Sequence, residues 1–128
     1  MTDAYKVPEA EIAFARRLLG EVPDLQALYD EHVLDNEGEC LPYLLLADVA
    51  RYVTREVFSG ATGPAQPAIR IIEFMEHGMA CGDERIDNLI CLSFVEGLAD
   101  DHGVPKRFKA LLGPRLSEHV VTWWDWGR

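Results

Sequence analysis

Apolar residues recur every three to four positions along nearly the whole chain, and this spacing restricts the fold more than any other feature of the sequence. The stretch 41–58 shows the pattern clearly, with an apolar set made of Leu41, Leu44, Leu45, Val49, Tyr52, Val53 and Val57. Alternation with a period of two, which is typical of half-buried strands, is missing from the sequence. The sequence therefore predicts an all-α protein.

Prolines, glycines and capping residues divide this pattern into six to seven helices. The predicted helices cover about 8–20, 23–36, 41–58, 66–79, 83–98, 103–112 and 114–124. Proline suits the first turn of a helix, glycine suits the residue after the last turn, and Asp83 is a good N-cap. The links between the predicted helices are short, which favours a compact bundle or stacked helical hairpins. A length of 128 residues is typical of one domain, which we predict to span 1–128.

The predicted fifth helix, 83–98, is apolar on almost every side, so we expect it at the centre of the bundle. Asn88 and Glu96 lie eight positions apart on nearly the same face of this helix. A buried glutamate must be paired or protonated. Arg51 and Arg55 are the candidate partners, and a structural ion pair is favoured over a catalytic acid.

The chain has 22 acidic residues against 12 basic ones, a formal net charge of −10. This balance opposes direct binding of nucleic acid or of an anionic membrane, and it favours cationic partners. No apolar run approaches the ~20 residues that a membrane span needs, and the N-terminus has no signal-peptide core. Three scattered cysteines without a C-x-x-C pair are expected to be reduced thiols in the core. We therefore expect a soluble cytoplasmic protein.

Charge is also segregated along the chain, because no lysine or arginine lies between Arg17 and Arg51. The acids of that stretch are Glu21, Asp24, Asp30, Glu31, Asp35, Glu37, Glu39 and Asp48. A second acidic stretch, 71–105, has Arg85 as its single base. If the two stretches adjoin in space, they form one negative face that can steer a basic protein and occupy its nucleic-acid-binding cleft. A surface that only confers solubility is the alternative.

The C-terminal tryptophans are a second candidate contact surface. Leu116, Val120 and Trp123 form a predicted core stripe, which Trp124 and Trp126 cannot both follow. One of these two is expected at the surface, where tryptophan is a favoured interface residue. Folding back to cap the bundle is the alternative.

Two acidic pairs raise the question of a metal. Glu73 and Glu76 lie three positions apart, as do Glu84 and Asp87, and such pairs on facing helices can hold Mg²⁺. They resemble the paired acidic motifs of all-α nucleoside triphosphate pyrophosphatases. Only seven residues separate the pairs, and no cluster of bases stands nearby to hold a triphosphate. A solvated acidic rim is therefore favoured.

Other chemical motifs fail on spacing or on residue type. The sequence has no Glu-x-x-His pair, no zinc spacing among its four histidines, no G-x-S-x-G and no glycine-rich phosphate loop. A calcium loop centred on Gly38 would place Val33 and Leu44 at its two essential ligand positions. The sequence thus indicates no catalytic residue, cofactor or metal ligand, and an enzyme is the less favoured class.

One motif carries a family resemblance. The segment Glu31-His32-x-x-Asp35-Asn36-x-Gly38-Glu39-x-Leu41-Pro42 resembles a family of small acidic all-α bacterial proteins of uncharacterised function. The similarity continues through 44–49, 82–84, 88–96 and 111–114 and covers most of the chain from about residue 20. It implies a bacterial helical domain and assigns no site. In size, charge and helicity the chain is also similar to immunity proteins of bacterial toxin systems.

Together these observations favour a protein-binding module, of the immunity type, that neutralises a basic bacterial toxin domain such as one acting on nucleic acid. The expected partner-binding residues are Asp30, Glu31, Asp35, Glu37, Glu39, Asp48, Trp124 and Trp126. A Mg²⁺-dependent nucleotide hydrolase that uses Glu73, Glu76, Glu84 and Asp87 is one alternative. A structural or adaptor protein that forms a homodimer through its C-terminal tryptophans is the other.

Overall fold

The computed structural model describes residues 8–59, 66–99 and 112–118, and every regular element within these ranges is helical. The helices are α1 (Glu9–Glu21), α2 (Gln26–Asp35), α3 (Pro42–Ser59), α4 (Gln66–Ala80), α5 (Glu84–Leu89) and α6 (Glu96–Ala99). A 3-10 turn at Pro23–Leu25 leads into α2, a π-helix at Ile90–Val95 joins α5 to α6, and a further helical turn covers 114–118. The all-α prediction is confirmed. The predicted helix at 103–112 lies outside the described residues except for its last position.

The connection between α2 and α3 is a short turn that needs left-handed backbone. Glu37 has a φ of 57° and Gly38 a φ of 87°. The Gly38 N–H donates to the carbonyl of Val33 over 2.8 Å, which pairs one of the carbonyls left open at the end of α2. The chain then reaches α3 at Pro42, so α2 and α3 form a hairpin.

The buried core lies around α3, which packs against α1, α2, α4 and the helical segment 84–99. Its largest fully buried side chains are Phe14, Phe94, Leu18, Leu25, Leu46, Ile71, Ile72, Met75, Leu89, Ile90 and Leu98. The predicted stripe of α3 was wrong at Leu44, which is 55% exposed. Because α3 turns Leu46, Val49 and Val53 inward, Leu44 lies on the opposite side of the helix with the charged residues.

The segment 84–99 is helical throughout and begins as predicted, with the Asp83 side chain accepting a hydrogen bond from the Arg85 N–H over 2.9 Å. Its middle turns are π-helical. There the Ser93 hydroxyl donates to the Leu89 carbonyl, the acceptor that the Ser93 N–H would use in an α-helix.

We expected this segment at the centre of the bundle, and it packs against α1, α3 and α4, but one of its sides faces solvent. Asn88, Leu92 and Glu96 follow one another at intervals of four and are all exposed. Glu96 is therefore not a buried acid held by Arg51 or Arg55. Arg51 instead pairs with Asp48, and the Arg55 guanidinium lies 5.7 Å from the ring centre of Tyr52.

The three cysteines are free thiols in two kinds of surroundings. Cys40 and Cys91 are partly buried against the core, and burial raises the pKa of both thiols. The negative charge of Asp87 raises the pKa of Cys91 further. Cys81 is exposed in the turn after α4, so the expectation of a core position was wrong for this cysteine.

We expect iodoacetamide to modify Cys81 before Cys40 and Cys91 at neutral pH. The thiolate is the reactive form, and a raised pKa keeps Cys40 and Cys91 protonated while burial limits access to them. As the pH rises, their labelling should increase over a range above the ordinary thiol pKa of about 8.5. Timed labelling followed by peptide mass spectrometry measures the three rates. Urea-unfolded protein is the control, in which the rates should converge; equal rates in the folded protein would contradict the prediction.

None of the described helices combines the length and apolarity that would let it cross a membrane.

Candidate protein-binding face

The hairpin formed by α2, the turn at 36–41 and the first half of α3 presents most of the predicted partner-binding acids to solvent. Asp30, Glu31 and Asp35 are exposed on α2, and Glu37 and Glu39 are exposed in the turn. We name these five residues the acidic hairpin face. The sequence contains no lysine or arginine between Arg17 and Arg51, so no base within the hairpin neutralises this face locally.

The turn places Glu37 in an unusual conformation. A glutamate in the left-handed region costs about 1 kcal/mol relative to glycine, which adopts that region freely. Such strain is concentrated at functional positions more often than elsewhere in proteins. The side chain of Glu37 is exposed, so packing of this side chain in the core does not offset the strain.

Beneath the turn, the buried side chain of His32 fastens α2 to the start of α3. Its Nε2 accepts a hydrogen bond from the Leu41 N–H over 2.9 Å, so in a neutral ring the proton is on Nδ1. The Asn36 amide donates to the His32 carbonyl over 2.7 Å. These bonds fix both ends of the turn that carries Glu37 and Glu39. The sequence showed His32 only as an isolated histidine, because its partner is a backbone group nine positions away.

Asp48 differs from the other predicted acids because it is half-buried and already paired. Arg51, one turn later on α3, donates to the Asp48 carboxylate, and the other carboxylate oxygen lies 4.0 Å from Nδ1 of His32. This places Asp48 beside the support of the turn. Its negative charge is partly neutralised by Arg51.

Two exposed leucines accompany the acids of the hairpin. Leu34 on α2 is 80% exposed, and Leu44 on α3 is 55% exposed. Leu34 lies about 200° around α2 from the buried His32, at 100° per residue, and therefore points away from the bundle. The hairpin thus exposes apolar side chains among its carboxylates.

The second acidic stretch lies on helices that pack elsewhere. Among the described elements, α2 packs mainly on α3 and the 3-10 turn, whereas α4 and α5 pack on α1, on α3 and on each other. The acids of α2 and its turn therefore lie apart from α4 and α5, whereas Glu21, at the start of the first stretch, lines a groove together with Glu73 of the second. Trp124 and Trp126 lie outside the described residues.

The four carboxylates of the proposed Mg²⁺ site have separate surroundings. Glu73 and Glu84 are exposed. Both oxygens of Glu76 accept backbone hydrogen bonds, from the N–H groups of Arg115 and Leu116 at 3.0 Å each. Asp87 is half-buried and has one buried oxygen with no hydrogen bond. In the part of the chain that the structure describes, no three His, Cys, Asp or Glu side chains are grouped so that they could hold a metal ion.

An open groove between the end of α1 and one face of α4 was not predicted. It has a volume of about 450 Å³ and is lined by Glu21, Arg70, Glu73, Phe74 and His77. The four residues of α4 follow the spacing i, i+3, i+4, i+7, which marks one helix face and was visible in the sequence. Acidic and basic groups are mixed along it, so the groove selects no particular ligand charge.

Within the described residues the fold is all-α, and the hairpin of α2 and the turn exposes five carboxylates. The chain belongs to the family described as "Domain of unknown function (DUF7674)", whose model matches residues 15–125. Comparison with curated proteins and with solved structures found no match.

Proposed function

We propose that this protein is an immunity-type binding module, which neutralises a basic bacterial toxin domain by covering its cleft with the acidic hairpin face. The observation that supports the proposal is the exposure of all five acids of this face in a stretch that has no base. We expect the protein to act in the cytoplasm, where free thiols such as Cys40, Cys81 and Cys91 stay reduced.

The charge pattern favours a protein partner for a physical reason. Exposed charges act over a Debye length of about 8 Å at physiological ionic strength, so neighbouring carboxylates combine into one field. Such a field raises the association rate with a basic surface and repels nucleic acid and anionic membranes. The hydrogen bonds of His32 hold the turn in place, which lowers the entropy lost on binding.

The alternatives have less support from the described residues. In the nucleotide hydrolase proposal, Glu76 would be a metal ligand, yet both of its oxygens already accept backbone hydrogen bonds from Arg115 and Leu116. The homodimer proposal depends on Trp124 and Trp126, which lie outside the described residues.

The test uses the protein encoded by the neighbouring gene as the candidate toxin and measures binding by biolayer interferometry. A variant with Asp30→Asn, Glu31→Gln, Glu37→Gln and Glu39→Gln should bind roughly tenfold or more weakly at low salt, mainly through a slower association rate. The matched control carries Glu9→Gln, Glu73→Gln, Glu84→Gln and Glu96→Gln, which removes the same charge from exposed positions outside the face. Equal losses in the two variants, or no loss in the first, would rule out this face.

A further inference from the structure

We infer that His32 is a pH-sensitive switch, which holds the turn at 36–41 against α2 while its imidazole is neutral and releases the turn when the ring takes up a proton. The inference goes beyond the proposed function, because it concerns the support of the turn and does not depend on any partner. It assigns a regulatory role to a buried side chain that lies beneath the acidic hairpin face and is not part of it.

The buried imidazole of His32 has a different hydrogen-bonding capacity in each protonation state. The side chain lies in a residue that is only 4% exposed, and its Nε2 accepts the Leu41 N–H over 2.9 Å. A ring nitrogen accepts a hydrogen bond only while it carries no proton, and a protonated ring carries a proton on both nitrogens. The Nε2–H and the Leu41 N–H would then be two donors facing each other, so protonation breaks the bond that joins the end of the turn to α2.

Asp48 on α3 gives the protonated ring a partner of opposite charge. One of its carboxylate oxygens lies 4.0 Å from Nδ1 of His32, close enough for an attraction that favours the charged ring. Arg51 donates to the other oxygen, but the Arg51 side chain is 65% exposed, so solvent screens its charge. The contact between α2 and α3 should therefore persist when the ring is protonated, and the release should be confined to the turn.

The other titratable groups around His32 belong to classes that keep their charge between about pH 5 and pH 7.5, because carboxyl groups ordinarily titrate near pH 4 and thiols and phenols above about pH 8. The nearest thiol and phenol, Cys40 and Tyr29, are hydrogen-bonded to each other, and burial raises the pKa of Cys40. Among the described residues, Asp48 is the only carboxylate within 4.0 Å of the ring. The acids of α2, its turn and the adjoining 3-10 turn are all exposed, and they are Asp24, Asp30, Glu31, Asp35, Glu37 and Glu39.

Amide hydrogen exchange and NMR of the histidine ring test the switch on the full chain at about pH 7.5 and pH 5, the range in which histidine ordinarily changes charge. Each exchange rate is divided by the intrinsic rate at the same pH, because the intrinsic rate itself depends on pH. We expect the protection of the Leu41 amide to fall roughly tenfold or more at the lower pH. The amides of Leu46 and Val49 within α3 should keep their protection. The ¹⁵N shifts of His32 should show Nε2 without a proton at the higher pH and with one at the lower pH.

Three variants assign the effect to His32. His32→Gln supplies a side-chain carbonyl that accepts a hydrogen bond and does not titrate, so the Leu41 amide should have the same protection at both pH values. His77→Gln is the matched control, because His77 is exposed on α4 and its loss should leave the pH dependence unchanged. Asp48→Asn removes the charge that favours the protonated ring, so the loss of protection should begin at a lower pH than in the wild-type protein.

Several outcomes would overturn the switch. Unchanged protection of the Leu41 amide while the ring of His32 is protonated would show that the bond does not hold the turn. A ring that stays neutral at pH 5 would show that the switch does not operate in this range. The same pH dependence in His32→Gln would assign the effect to another group, and loss of protection throughout α3 would indicate acid unfolding of the bundle. None of these measurements involves a partner, so the proposed function is tested separately.

Discussion

Replacing Glu76 with alanine should lower the free energy of unfolding by about 2–3 kcal/mol, because one side chain holds the described C-terminal turn on α4. Both carboxylate oxygens accept backbone hydrogen bonds, from the N–H groups of Arg115 and Leu116. The guanidinium of Arg115 lies 3.6 Å from one of these oxygens. The first N–H groups of a helical turn have no partner within the helix, so the carboxylate of Glu76 serves as their cap.

Gly113 makes this contact possible. A Cβ atom at position 113 would overlap the carboxyl group of Glu76, so only glycine lets the turn approach so closely. Leu112 and Leu116, on either side of it, are buried in the core. Loss of the cap should therefore loosen apolar contacts as well as hydrogen bonds.

Urea unfolding followed by circular dichroism measures the effect, and Glu73→Ala is the matched control. Glu73 lies one turn earlier on α4 and is exposed, so its removal should change the stability by less than about 0.5 kcal/mol. Glu76→Gln keeps one acceptor oxygen and should have an intermediate effect.

The same measurement repeated with Mg²⁺ in excess distinguishes the cap from a metal site. A site that used both Glu73 and Glu76 would stabilise the wild-type protein when Mg²⁺ binds, and either substitution would abolish that gain. For a cap, Mg²⁺ should leave the difference between the two variants unchanged. Similar losses of stability in Glu73→Ala and Glu76→Ala would contradict the capping role.

Helices could be predicted from this sequence because their signals are local. The third helix was expected at 41–58 and is found at Pro42–Ser59, and the capping role of Asp83 was visible from its position before an apolar run. The orientation of segment 84–99 was not predictable in this way. When apolar residues cover most of a helix, their pattern gives no clear direction, so the exposure of Asn88, Leu92 and Glu96 depends on how the neighbouring helices pack.

For the candidate site as well, features with a local signal were predictable and contacts between distant residues were not. Exposure of the acids at 30–39 followed from the cost of burying charge, which needs no knowledge of the fold. Contacts between distant residues, such as Glu76 with Arg115, cannot be read from spacing within one helix. The exposure of Leu34 could not be predicted either, because the sequence alone favours an inward position for an apolar residue on a helix.

His32→Ala should have the largest effect on the hairpin, lowering the free energy of unfolding by about 2–4 kcal/mol. The imidazole is only 4% exposed, so its removal leaves a cavity between α2 and α3. The Leu41 N–H also loses its acceptor, Nε2. His77→Ala is the matched control, because His77 is exposed on α4 and its removal should leave the stability nearly unchanged.

Amide hydrogen exchange at Leu41 tests the role of His32 more directly than global stability. Exchange should be accelerated in His32→Ala and remain partly slowed in His32→Gln, whose side-chain carbonyl can accept the same hydrogen bond. An equally slow exchange in His32→Ala would show that another group holds the turn. Because His32 fixes the turn that carries Glu37 and Glu39, accelerated exchange at Leu41 should be accompanied by weaker binding through the acidic hairpin face, although no acid has been altered.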